Sequence, residues 1–171
     1  TIGTLRLTID TDTTDTTGAD ISFGGDILGD SGPGADAVDL VLDAHSGDIT
    51  VLGIGSNTGG SLNDEINDVT LTGATIKTNG IIHTKRETGP TDYGDVSING
   101  ALKLVGNTTI ETNRGNLTVT GLIDGSSSGS QSLTVDVGLG DVDFATTLGG
   151  STALSALSIT SSSSLNFSSI L

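Results

Sequence analysis

The chain never repeats its apolar residues at helical spacing, yet it repeats them at every second position along most of its length. TLRLTID (4–10), DLVLDA (39–44), DVTLTG (68–73), DVSING (95–100), NLTVTG (116–121) and SLTVDV (132–137) all alternate Leu, Ile or Val with Thr, Ser, Asp or Asn. A period of two puts one set of side chains on each face of a half-buried strand. Thr and the β-branched residues suit that extended backbone. Gly, Asn, Asp and Ser separate the runs, and these are the residues that turn a chain. GGSLNDEIND (59–68) is the one helix-like stretch, and its charges and Asn predict an excursion loop instead. SSSSLNFSS (161–169) still alternates around Leu165 and Phe167 and reads as one more strand.

Many short strands need a shared interior, and composition narrows how it is built. Aromatics are 2% of the 171 residues, Trp is absent, Tyr occurs once and Phe three times, against 33% apolar residues. Sandwich cores use large rings, and this chain has few. Asn79–Gly80 and Asn99–Gly100 leave hairpins open as an alternative. In a parallel solenoid, coils stack at about 4.8 Å, and a thin interior of Val, Ile and Leu with stacked Thr or Asn fills without rings. The strand–Gly–strand spacing of about 8–10 residues fits short sides that bend at Gly, Asn or Asp. The expectation is an all-β parallel β-helix over 1–171 with no significant helix. It predicts about seven or eight coils of ~20–25 residues, ~35 Å long.

Internal repetition supports a solenoid. DLVLDAHSGDI (39–49) lies over SLTVDVGLGDV (132–142), with Leu40, Asp43, Gly47 and Asp48 falling on Leu133, Asp136, Gly140 and Asp141. ISFGGDILG (21–29) matches LTVTGLIDG (117–125) in pattern, and VTLTGA (69–74) matches LSITSS (157–162), giving a repeat of 21–74 over 117–162. SLTVDVGLGDVDFATTLGGSTALSALSIT (132–160) resembles the degenerate repeats of giant bacterial surface adhesins, the filamentous-haemagglutinin-like and autotransporter-type proteins. The resemblance covers nearly the whole chain, is clearest over 39–74 and 95–160, and is architectural. It implies a right-handed parallel β-helix, export to the bacterial surface, and a role in adhesion or biofilm scaffolding. It carries no catalytic residues. The irregular loop lengths depart from uniform coils.

A formal net charge of −15 repels nucleic acid and anionic membranes. No run of about 18 apolar residues exists to span a bilayer. Cys and Met are both absent, so the chain reads as a processed product or an excised piece of something longer.

Candidate chemistry is sparse. DTDTTDTTGAD (10–20) begins with EF-hand spacing at Asp10 and Asp12, then fails, with Asp15 where Gly belongs and Ile21 where Glu belongs. SGPGADAVD (31–39) matches the Ca²⁺-binding nonapeptide at every position but the first. Gly32 and Gly34 would turn the chain there, Asp36 would supply the carboxylate, and Val38 the apolar anchor. A Gly/Pro turn is the alternative, since no second copy completes the oxygen shell. Lys77, Lys85 and Arg86 gather near His83 and form a candidate partner-binding patch, with a solvated loop as the alternative. His45 and His83 are too few for a zinc site.

Asp39, Asp48, Asp68, Asp95 and Asp141 stand at strand starts and turns, which turn chemistry explains without catalysis. TIDTDTTDTT (8–17) lacks the fixed period of an ice-binding Thr array, and Asn107, Asn116 and Asn166 read as turn residues. The functional expectation is a non-catalytic structural segment of an extracellular adhesin or filament. Its partners are neighbouring coils of the same chain or head-to-tail copies, with host or matrix glycans as outside ligands. The alternatives are a Ca²⁺-stabilised self-assembling subunit and a carbohydrate-binding or carbohydrate-cleaving β-helix.

Overall fold

The computed structural model describes residues 5–12, 14, 17–29, 38–55, 66–84 and 94–170. Among them run twelve strands and no helix: β1 (Leu5–Asp10), β2 (Ile21–Ser22), β3 (Val38–Asp43), β4 (Ile49–Val51), β5 (Ile66–His83), β6 (Val96–Glu111), β7 (Leu117–Val119), β8 (Ile123–Gly125), β9 (Ser132–Asp136), β10 (Asp141–Leu148), β11 (Ala156–Ser161) and β12 (Ser164–Ile170). Every pairing between them is parallel. The chain is therefore a β-solenoid.

Its strands stack in three walls. The first wall holds β1, β3, the starts of β5 and β6, β7, β10 and β12. Its inward columns run Leu7, Leu40, Val69, Val96, Leu117, Val142, Leu165 and Ile9, Leu42, Leu71, Ile98, Val119, Phe144, Phe167. The second wall stacks Ile21, Ile49, Ile76, Leu102, Ile123 and Leu148. The third stacks Ile27, Ile54, Ile82, Ile110, Val135 and Ile159. Like-on-like aliphatic stacking replaces the large rings of a sandwich. The few rings are used where the interior takes one: Phe144 is fully buried and meets Phe167 with centroids 5.4 Å apart. Burying each Leu or Ile stabilises by about 1.5–3 kcal/mol.

The winding is looser than the spacing predicts. Successive members of the Leu7–Leu165 column are 33, 29, 27, 21, 25 and 23 residues apart. All three walls coexist for about five turns, not seven or eight. Extra chain enters at more than one corner: the stretches 30–37, 56–65 and 85–93, outside the described residues, connect the third wall to the first, while 11–20 connects the first to the second on the opening turn and 126–131 the second to the third farther along. The GGSLNDEIND excursion lies within one of them up to position 65, and its last three residues, Ile66–Asp68, open β5.

The two Asn-Gly pairs make no hairpins. Both lie inside long strands, β5 and β6, which bend through all three walls. Gly100 takes φ +150 at its bend, and a Cβ there would stand 1.9 Å from the carbonyl oxygen of Gly73 on the turn before. Only glycine meets both demands.

Candidate functional site

The corner from the third wall to the first carries a run of polar side chains on successive turns. At two levels the corner is one tight turn: the N–H groups of Gly115 and Gly140 donate to the carbonyls of Thr112 and Val137 at 3.0 and 2.8 Å, and Gly47 closes the same kind of turn onto Ala44 at 2.7 Å at the corner from the first wall to the second. The first central residue of each is left-handed: His45 (φ 50), Asn113 (φ 53) and Gly138 (φ 58). Asn and His tolerate that conformation better than other side chains. His45 and Asn113 therefore stand in these turns for a backbone reason, His45 between the first wall and the second and Asn113 between the third and the first.

The glycine closing each turn is fixed by contact with the turn before. A Cβ on Gly94, Gly115 or Gly140 would come within 2.1, 1.9 and 2.0 Å of the carbonyl oxygens of Asn67, Gly94 and Gly115. Backbone lies directly on backbone along this edge.

Residues at the start of the first wall build a ladder. The Asp68 N–H donates to Asp39 Oδ1 (3.3 Å), Asp95 N–H to Asp68 Oδ1 (2.9 Å), Asn116 N–H to Asp95 Oδ1 (2.7 Å), and Asp141 N–H to Asn116 Oδ1 (2.9 Å). Each side chain thus accepts from the equivalent residue one turn later. The strand-start Asp residues satisfy neighbouring turns, beyond the local turn role read from the sequence. Asn107 and Asn166 are likewise engaged, Asn107 accepting from the Ser132 N–H and Asn166 donating to Asp143.

An open cleft of about 520 Å³ lies at this corner, lined by Glu111, Asn113, Arg114, Asp136, Gly138 and Leu139. Glu111 and Asp136 are Cα partners on adjacent turns, at the ends of β6 and β9. Asn113 and Arg114 come from one corner turn, Gly138 and Leu139 from the next. Leu139 is 66% exposed. Glu111, Arg114 and Asp136 are each engaged within the protein. His83 stands one turn before Glu111, and its Nε2 lies 3.4 Å from Asn113 Nδ2. Sequence reasoning missed this grouping, because Glu111 and Asp136 are joined only by the length of one irregular turn.

Of the residues singled out from sequence, Lys77, Val38, Asp10 and Asp12 fall among the described residues. Lys77 lies on the second wall, where its Nζ pairs with Asp48 Oδ2 at 2.7 Å. That hydrogen bond lowers the Asp48 pKa and raises that of Lys77. Lys77 stacks on Lys103 of the following turn. Lys85, Arg86, Gly32, Gly34 and Asp36 lie outside the described residues. Val38 is a paired residue of the first wall, between Leu5 and Ile66.

The EF-like start is spent on its own backbone. Asp10 Oδ1 accepts the Asp12 N–H, and Asp12 accepts those of Thr14 and Thr17. The Asp12 N–H bond, then that of His45, holds the Asp10 pKa below the usual carboxylate range. His45 Nε2 sits 2.9 Å from Asp10 Oδ1 and its Nδ1 3.7 Å from Asp43 Oδ1, tying the first turn to the second. Among the described residues no three His, Asp or Glu side chains converge on a metal-sized site. Comparison with protein-family models, curated proteins and solved structures returns no match.

Proposed function

We propose that this chain is a non-catalytic structural segment of a secreted bacterial surface adhesin or extracellular filament, holding binding regions away from the cell or matrix. The observation that carries the reading is the pair of first-wall columns, Leu7 to Leu165 and Ile9 to Phe167. They keep one register through every turn, and the terminal described strands keep the same inward pattern. Leu7 and Leu165 are 48% and 44% exposed at the two ends of their column, ready to be covered by further coils of the same kind. Each turn leans on the adjacent turns, so length is added without redesigning a core. The acidic surface keeps such a rod dispersed in water.

A tandem protein tests the reading, with two copies joined so that β12 of the first leads into β1 of the second. A continuous rod has about twice the axial length by small-angle scattering and unfolds with a larger urea m-value than one copy. Two copies that scatter as separate bodies and unfold with the single-copy m-value would refute the stacking on which this function depends. Surface display in a bacterial host checks the role itself. Removing a whole turn should shorten the reach of a terminal binding domain and leave its affinity intact; a lost affinity would argue for a recognition role instead.

A further inference from the structure

We infer that the corner cleft is a binding site for a neutral pyranose sugar. It is independent of the rod reading, since a spacer needs no such site. Glu111 and Asp136 leave the backbone at paired positions on adjacent turns, about 4.8 Å apart. That is close to the separation of hydroxyls two carbons apart around a pyranose chair, so both carboxylates can accept from one ring. Arg114 and Asn113 supply donors between them. A sugar hydroxyl both donates and accepts, and it needs this mixed lining.

Leu139 adds the remaining feature. Its side chain is 66% exposed and offers an apolar surface to the C–H face of a ring. Gly138 keeps the floor open. The position its Cβ would take has Arg114 N, Asn113 C and Arg114 Cγ at 3.5, 3.6 and 3.7 Å, so a side chain there would occupy the space a ligand needs. The volume of about 520 Å³ accommodates one or two rings. Glu111, Arg114 and Asp136 are held within the protein, which fixes their positions before a ligand arrives.

Charge selects the class. Two carboxylates and a net charge of −15 disfavour uronic acids and phosphates. Arg114 offsets one of the two carboxylates, and Leu139 and Asn113 add an apolar face and an amide that a small amine would leave unused. A neutral sugar is left, and an open site binds it weakly, on the order of millimolar.

The test is an amide-resolved NMR titration of the intact chain with methyl β-glucopyranoside, methyl β-galactopyranoside and methyl α-mannopyranoside, alongside glucuronate and methylammonium. At least one glycoside should give saturable shifts confined to 111–114 and 136–139. Leu139→Ser and Glu111→Gln should each weaken it about tenfold while the rest of the spectrum stays unchanged. The inference is overturned if no glycoside saturates, if the shifts fall elsewhere, if both variants bind as well as the original, or if glucuronate or methylammonium binds as tightly.

Discussion

The edge where backbone rests on backbone makes the sharpest demand on a single residue. In Gly140→Ala the new Cβ would stand 2.0 Å from the Gly115 carbonyl oxygen, 2.7 Å from its carbon and 3.0 Å from the Arg114 oxygen. None of these atoms ends a flexible side chain, so the two turns must separate by about 1.5 Å to restore ordinary contact. The bonds that span this gap are Asp141 N–H to Asn116 Oδ1 at 2.9 Å and Thr112 N–H to the Asp136 carbonyl at 3.1 Å. Losing both removes about 2 kcal/mol, and overpacking adds about 1–3, for a total of roughly 3–5 kcal/mol. That is a large fraction of the stability of any domain. Gly25→Ala is the control, because nothing lies within 4 Å of its Cβ position. It should be neutral or stabilise by about 0.4–1 kcal/mol through the unfolded chain. Urea unfolding of both variants measures the difference. Hydrogen exchange should show lost protection near Thr112 and Asp141 and intact protection at Ile49. The reasoning fails if Gly140→Ala stays within about 1 kcal/mol of the parent, or if Gly25→Ala loses as much.

Asn116 is the neutral rung between Asp95 and Asp141. Asn116→Asp adds two repulsions of roughly 1 kcal/mol each against about 1 kcal/mol from a stronger acceptor. The net loss of about 1 kcal/mol at low salt should vanish near 1 M salt, and urea midpoints that differ equally at both salts would contradict it. The hydroxyls of buried Thr78 and Thr108 meet at 3.1 Å. Thr78→Val and Thr108→Val should each destabilise by about 1–2 kcal/mol, with the double variant losing less than the sum; additive losses would show that the pair is not coupled.

The Lys77–Asp48 pair has a pH signature. The lowered Asp48 pKa stabilises fully above the unfolded value near 3.9 and is lost as pH falls through the folded one. The raised Lys77 pKa stabilises fully below about 10.4 and is lost as pH rises through the folded one. Both side chains are about one-third exposed, so Lys77→Met should cost under about 1 kcal/mol, evenly between about pH 5 and 9. A cost that peaks inside that window would implicate a different group.

Alternation at LRLTID, VDLVLD and SLTVD announced strands that the structure contains. The shortage of rings pointed to stacked aliphatics, and the columns of Ile, Leu and Val supply them. What eluded the sequence was which strand stacks on which. Leu40 and Leu133, matched in the internal repeat, stand on the first and third walls. All three walls share the same period of two and the same glycine corners, so a sequence match does not identify a wall. The cleft was hidden for a related reason. Glu111 and Asp136 meet only once the turn length between them, 25 residues, is known. A charge count showed many acids and gave no sign that a ladder of N–H donors would hold Asp39, Asp68 and Asp95 in line.

The three stretches 30–37, 56–65 and 85–93 lie in the sequence between a residue of the third wall and one of the first. At the turns 112–115 and 137–140 the same junction closes in four residues. The columns keep their register across both versions, so that junction works as an expansion joint, taking up extra chain without transmitting it to the stack. A foreign peptide grafted between Asn113 and Arg114 would leave the stack in register while remaking the cleft that these residues line. The same corner gives an evolving lineage a place to try new surface chemistry while the scaffold beneath stays unchanged.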